Sequence, residues 1–264
     1  PGSETSDARI YVPGEDDVRR IDWAVTARTT APHVRDTISD RELEVWALLD
    51  VTPSMNWGTA GVTKRDLGIA AIATIGFLSQ KMGDRFGGFL MRPEGLRRLP
   101  ARSGRSALYG LLRKMLTEPF VPDHATGPMR LANAVEQLSR MQRRRGLRVV
   151  VSDFLGEPEW ERALRALSAR HELLAGEVLD PRELELPEVG TVVLADPETG
   201  RQREVETTPL LCREFAAAAS AHRDRVAAAL RRCGAAHLRL RTDSDWVADV
   251  VRFVLARKRT WSGG

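Results

Sequence analysis

The 264-residue chain has only two cysteines, Cys212 and Cys233, and no Cys-x-x-Cys pair. They stand 21 positions apart in one helical-looking segment, about 30 Å along a helix axis. A disulfide framework is therefore excluded, and a reducing, cytoplasmic setting is expected. Long apolar runs are missing too. The longest, Ile69 to Leu78, falls far short of the roughly 20 residues that span a bilayer, so no membrane contact is expected. The histidines His33, His124, His171, His222 and His237 are dispersed and never at His-x-x-x-His spacing, which argues against zinc. No Gly-x-x-x-x-Gly-Lys loop is present for a nucleotide, and no Gly-x-Ser-x-Gly elbow for a nucleophile. The opening "PGSETSDARIYVPGEDD" reads as the continuation of something longer.

What is plentiful is charge of both signs, with a net +4, and 42% apolar residues. That is the composition of a globular protein. The arginines are scattered along helical segments rather than gathered in a stripe, so nucleic acid is not an expected partner.

Periodicity gives alternating strands and helices, the pattern of a mainly parallel sheet covered on both faces. Glu44 to Leu49 and "LRVVVSDF" are continuous apolar runs, as interior parallel strands require, so the second is expected in mid-sheet. Helices are expected at Lys64 to Lys81, Ser106 to Leu116, Leu131 to Arg145, Pro158 to His171, Pro209 to Arg232 and Asp245 to Arg257. Leu173 to Val178 and "AHLRLRT" complete the strands. One β-hairpin is expected around Pro93 and Gly95, and a hairpin insertion turning on Pro197 to Gly200. Residues 1–40 form an expected extended arm packed on a single domain, 41–264. In that arm Glu15, Asp16, Asp17, Arg19, Arg20 and Asp22 surround a Pro-Gly turn, read as mutually paired charges pinned by Tyr11 and Trp23.

The chemistry concentrates where the first long strand ends, in "ALLDVTPSMNWG". Beyond a strand the chain turns, and residues two apart converge, so Asp50, Thr52 and Ser54 can face one ligand. Open α/β sheets bind ligands outside the carboxyl ends of their strands, and Asp153 ends the other central strand. If the two strands are neighbours, a crevice of carboxylates and hydroxyls results. It would suit magnesium or manganese, which take oxygen ligands. The competing reading makes these residues ordinary turn formers bonded to nearby amides. Trp57 has two readings, an aromatic anchor beside the crevice or a ring folded back onto the core. Arg102 and Arg105, with Ser103 as a helix cap, are candidates for a partner carboxylate or phosphate.

The stretches "YVPGEDDVRRIDWAVTART", "RELEVWALLDVTPSMNWG", "GDRFG", "PARSGRSAL", "VVVSDFLG", "ARHELLAGEVLDPRE" and "LADPETG" occur in an order that closely resembles bacterial proteins grouped as domain of unknown function 58. The likeness is strongest to actinobacterial members. It implies a von Willebrand factor A-like, Rossmann-like three-layer sandwich with a metal-ion-dependent adhesion site at its upper edge. It also implies a non-catalytic adaptor or co-chaperone serving a MoxR-type AAA+ ATPase and a client protein. By this resemblance Asp50, Thr52 and Ser54 fill the Asp-x-Ser/Thr-x-Ser element and Asp153 the later carboxylate. Family members carry Gly-Thr-Asp-Leu before the helix that begins here at Leu131. This chain reads "GPMRLANAV", with Met129 at the threonine position and Thr126 three residues earlier as its substitute. The alternative is a metal-dependent phosphoester hydrolase using Asp50 and Asp153 with a bound water. Against it, neither motif segment contains a histidine or lysine to serve as a base or cation.

Overall fold

The computed structural model describes residues 8–12, 18, 21–29, 31–35, 44–79, 84–120 and 129–261. By contacts the chain divides into two units, 1–42 and 43–264. The first contains β1 (Ala8–Ile10), α1 (Trp23–Thr29) and β2 (His33–Arg35), with β1 and β2 antiparallel. It is thus more structured than a plain extended arm. Asp22 caps α1, accepting from the Ala24 and Val25 amides at 3.0 and 3.3 Å. Trp23, expected as a pin, is 71% exposed. The charged residues Glu15, Asp16, Asp17, Arg19 and Arg20 lie outside the described residues.

The second unit runs β3 (Glu44–Asp50), α2 (Lys64–Ser79), β4 (Arg85–Arg92), β5 (Gly95–Ser103), α3 (Arg105–Leu116), α4 (Leu131–Met141), β6 (Leu147–Ser152), α5 (Glu161–Ser168), β7 (Glu172–Leu179), β8 (Gly190–Ala195), β9 (Gln202–Thr207), α6 (Pro209–Arg232), β10 (Ala236–Arg241) and α7 (Trp246–Trp261). Six strands form one sheet in the order β10-β7-β6-β3-β4-β5, parallel throughout except for the antiparallel edge strand β5. Numbered within the sheet this is the doubly wound order 3-2-1-4-5-6, whose reversal between β3 and β6 opens a crevice at the carboxyl ends of those strands. The β8–β9 hairpin pairs only with itself.

Strand alternation sorts the core into two halves. Val45, Ala47 and Leu49 of β3 face one way, packing with α2, α3 and α7 through residues such as Ile72, Leu108 and Val250. Trp46 and Leu48 face the other way, against α4, α5 and α6 through Val135, Leu164 and Leu230. All seven residues of β3 and all six of β6 are buried, so the expected mid-sheet strands and three-layer sandwich are found. Each fully buried Leu or Val contributes about 1.5–3 kcal/mol, which fixes these strand ends firmly. Gly87 is a packing requirement, since a Cβ there would come within 2.6 Å of the Trp46 ring.

Helix limits differ from the periodic reading in several places, and α5 ends at Ser168 rather than His171. α4 stops at Met141, because the Gln142 and Arg144 carbonyls turn to the buried Arg148 guanidinium instead of continuing the helix. The segment from Pro158 begins with a 3-10 turn, Pro158–Trp160, before α5. The last helix extends to Trp261.

Candidate functional site

The register Leu49↔Val151 makes β3 and β6 adjacent and brings their tips to one level. Asp50 and Asp153 therefore meet, both buried. Thr52 donates its hydroxyl to Asp50 Oδ1 at 2.6 Å, and its amide donates to the same oxygen at 2.9 Å. Ser152 Oγ donates to Asp50 Oδ2 at 2.7 Å. Ser54 Oγ lies 3.4 Å from Thr52 Oγ1 and bonds the Asp153 carboxyl. A hydroxyl that gives its proton to a carboxylate keeps two lone pairs. The hydroxyl oxygens of Thr52, Ser54 and Ser152 thus remain acceptors, as cation ligands must.

Local backbone supports this convergence. Pro53–Asn56 form a 3-10 turn that keeps Ser54 buried. The loop beyond closes on itself: the Lys64 amide donates to Trp57 O at 2.9 Å, and a Cβ on Gly58 would meet Val62 O at 2.1 Å. After Asp153, Phe154 sits at φ 50, a left-handed value that is rare for a bulky residue. Strain of this kind persists only where the surroundings hold it. Here the Asp153 carbonyl accepts from Arg223 at 2.7 Å, and the Phe154 carbonyl from His222 at 3.1 Å.

Lys64 is the residue that sequence reasoning missed. Its ammonium, fully buried, binds Asp153 Oδ2 at 2.7 Å and also Glu183. Neither motif segment contains a lysine, as the sequence shows, but α2 delivers one from outside both. Lys64 is held by two carboxylates, and their charges raise its pKa despite burial, so it has no free role as a base. Burial opposes the charge on Asp153, but the Lys64 ammonium and bonds from Lys64, Ser54 and Leu155 outweigh it and hold that carboxyl low. Asp50 has no such partner. Burial first and the Asp153 charge second push it up to about 7, against the bonds from Thr52 and Ser152. Burial also raises Glu183. Lys64 pairs with two of these three carboxylates, and Asp50 is left without a cationic partner among the described residues.

That imbalance, with hard oxygen donors only, fits a magnesium or manganese ion. Among the described residues no group of three or more His, Cys, Asp or Glu side chains is arranged to hold a metal. A cation here would depend on two carboxylates, hydroxyls and water. The next strand tip, Asp180 after β7, is also buried, but it is spent on structure: Thr59 donates its amide and hydroxyl at 2.7 Å each, and Thr242 its hydroxyl at 2.8 Å.

The crevice, of about 490 Å³, is lined by Asp50, Thr52, Ser54, Ser152 and Asp153, by Met129 and Trp160, and by Asp196, Pro197 and Glu198 from the tip of the β8–β9 hairpin. Glu198 Oε1 accepts from the Ser54 amide at 3.1 Å. The buried indole N–H of Trp160 has no acceptor among the described residues. Met129 thus lies at the crevice wall without offering a hydroxyl, and Thr126 lies outside the described residues. Trp57 is 41% exposed with Lys64 Nζ 6.0 Å from its ring centroid, so it is not folded back onto the core. Arg102 and Arg105 do not belong here. Arg102 pairs with Phe86 at the amino end of β4, whereas Asp50 pairs with Met91 at its carboxyl end, about 17 Å away at strand rise. Nor does Ser103 cap α3; Gly104 holds that position, with φ 89.

Residues 7–225 match the family described as "Protein of unknown function DUF58". The chain is 53% identical over 259 residues to an uncharacterized protein of Mycobacterium tuberculosis, covering 98% of this chain and 81% of that one. Among solved structures it is similar to the conserved hypothetical protein BatB from Bacteroides thetaiotaomicron, at 14% identity and TM-score 0.48, over 82% of this chain and 98% of that one. It is also similar to a von Willebrand factor type A protein from Catenulispora acidiphila, at 11% identity and TM-score 0.42, over 84% of this chain and 42% of that one.

Proposed function

The chain belongs to the DUF58 family, and from that premise we propose that it is a non-catalytic protein-interaction module, an adaptor that links a MoxR-type AAA+ ATPase to a client protein. In this reading Asp50, Thr52, Ser54 and Asp153 hold a magnesium or manganese ion, which when bound supplies positive charge for a partner's carboxylate. The observation that carries the proposal is the convergence of those side chains on one buried, negatively unbalanced crevice at the carboxyl edge of the sheet. Trp57, 41% exposed and with the Lys64 ammonium 6.0 Å from its ring centroid, serves in this reading as the aromatic anchor of the docking face. The cytoplasm is the setting, which suits the unpaired cysteines Cys212 and Cys233. Among the described residues no helix is long and apolar enough to cross a membrane.

Hydrolysis is disfavoured on chemical grounds. Lys64 is the ammonium beside Asp153, and it is fully buried and doubly paired, so it cannot follow developing charge on a substrate. The test is capture of the cognate MoxR-type ATPase on immobilised protein. Wild type is expected to retain it with Mg²⁺ and release it with EDTA, and Asp153→Ala to retain none. Equal retention by the variant would overturn the proposal. So would phosphatase turnover that Asp153→Ala abolishes.

A further inference from the structure

The adaptor reading leaves the β8–β9 hairpin unused. It pairs with no other strand among the described residues, and most of its residues are exposed. A lone two-stranded hairpin is marginally stable in water, so what its tip touches decides where it rests. That tip is tightly built. Asp196 accepts from the Glu198 amide at 3.0 Å and from the Thr199 hydroxyl, and Gly200 at φ 67 returns its amide to Asp196 O at 2.7 Å. Asp196 is consumed inside the turn. Glu198 is left to reach out, and it reaches the Ser54 amide.

A third acid beside Asp50 and Asp153 is repelled unless the crevice offers something an acid wants, here an amide donor and, in the adaptor reading, a cation. We propose that Glu198 is the crevice's resident ligand. It occupies the seat of a partner's carboxylate, and the partner is a protein that presents an aspartate or glutamate on a turn and displaces the hairpin. This rests on the crevice being a docking site. The tethered tip acts as a competitor at millimolar effective concentration, which an external acid must overcome.

A fluorescent, cyclised peptide copying residues 194–202 probes the seat, with fluorescence anisotropy measured in Mg²⁺ against full-length wild type and Glu198→Gln. The peptide is expected to bind the Glu198→Gln protein at least tenfold more tightly than wild type. A peptide with glutamine in place of Glu198 is expected to bind neither. Equal affinity for the two proteins, binding to neither, or binding of the glutamine peptide as strongly as its parent would each overturn the proposal. Manganese titration of the same samples separates the two ideas. Manganese uptake without peptide preference removes the resident ligand and keeps the cation, and peptide preference without uptake removes the cation and keeps the resident ligand.

Discussion

The sheet has Arg148 buried near its amino end and Lys64 near its carboxyl end, and the two cations are used differently. At the amino end Arg148 donates to four backbone carbonyls, those of Glu44, Leu147, Gln142 and Arg144. Its pKa is lowered to about 10, chiefly by burial, so it stays charged. At the carboxyl end the Lys64 ammonium bonds two carboxylates, Asp153 and Glu183, and lies 6.0 Å from the Trp57 ring centroid. At one end the buried cation is held by backbone carbonyls, and at the other it is held by carboxylates beside an opening. The first fastens the fold, and the second, in the adaptor reading, prepares a site.

The sharpest way to break this contrast is to remove each cation. Lys64→Met leaves Asp153 and Glu183 buried and unpaired, and is expected to cost about 3–5 kcal/mol in denaturant unfolding, with manganese affinity raised at least fivefold by the freed charge. Arg148→Met orphans four carbonyls and is expected to cost a similar amount, about 3–5 kcal/mol, with manganese affinity unchanged. If both variants altered manganese binding alike, the two ends would not differ in kind.

A smaller effect is expected from titration. His171, beside Arg148, is pushed down to about 4, by burial first and then by Arg148, Arg170 and Arg145. Its unfolded value is about 6.5, so the stability it secures is present above pH 6.5 and lost as pH falls toward 4. Asp50 has the opposite sign. Its folded value near 7 exceeds an unfolded value near 4, so metal-free protein is favoured at low pH and loses stability as pH rises through 7. Melting temperature against pH is the measurement. The two windows overlap and oppose each other, so His171→Leu should make stability fall more steeply as pH rises from about 4 to about 7, and Asp50→Asn should make it rise more steeply there. The same slope in either variant as in wild type would contradict the assignment.

The smallest effect on stability belongs to Trp57→Ala, within about 0.5 kcal/mol because the ring is exposed. Capture of the ATPase should nonetheless fall at least tenfold. Arg102→Ala and Arg105→Ala, at the other end of β4, should leave both unchanged.

The strands were legible because β3 and β6 are apolar on both faces, a pattern that only interior parallel strands sustain. Asp50, Thr52, Ser54 and Asp153 were legible because a strand end and its turn place them locally. Ser152 stood inside the same motif but looked like an ordinary strand residue. Lys64, Glu183 and Glu198 were not legible. Lys64 comes from 89 positions before Asp153, and Glu198 from 144 positions after Ser54, and nothing in their neighbourhoods marks them as partners. Ser103 failed as a cap because Gly104 takes a left-handed turn that no pattern of hydroxyls reveals.

In the adaptor reading the carboxyl edge of the sheet prepares a seat for a divalent cation. Titration calorimetry with Mn²⁺ at pH 7.5 tests it most directly. Wild type should give heat saturating at one ion per chain, lost in Asp50→Asn and in Asp153→Asn while both variants stay folded. No heat in wild type, or the same heat in all three proteins, would contradict it.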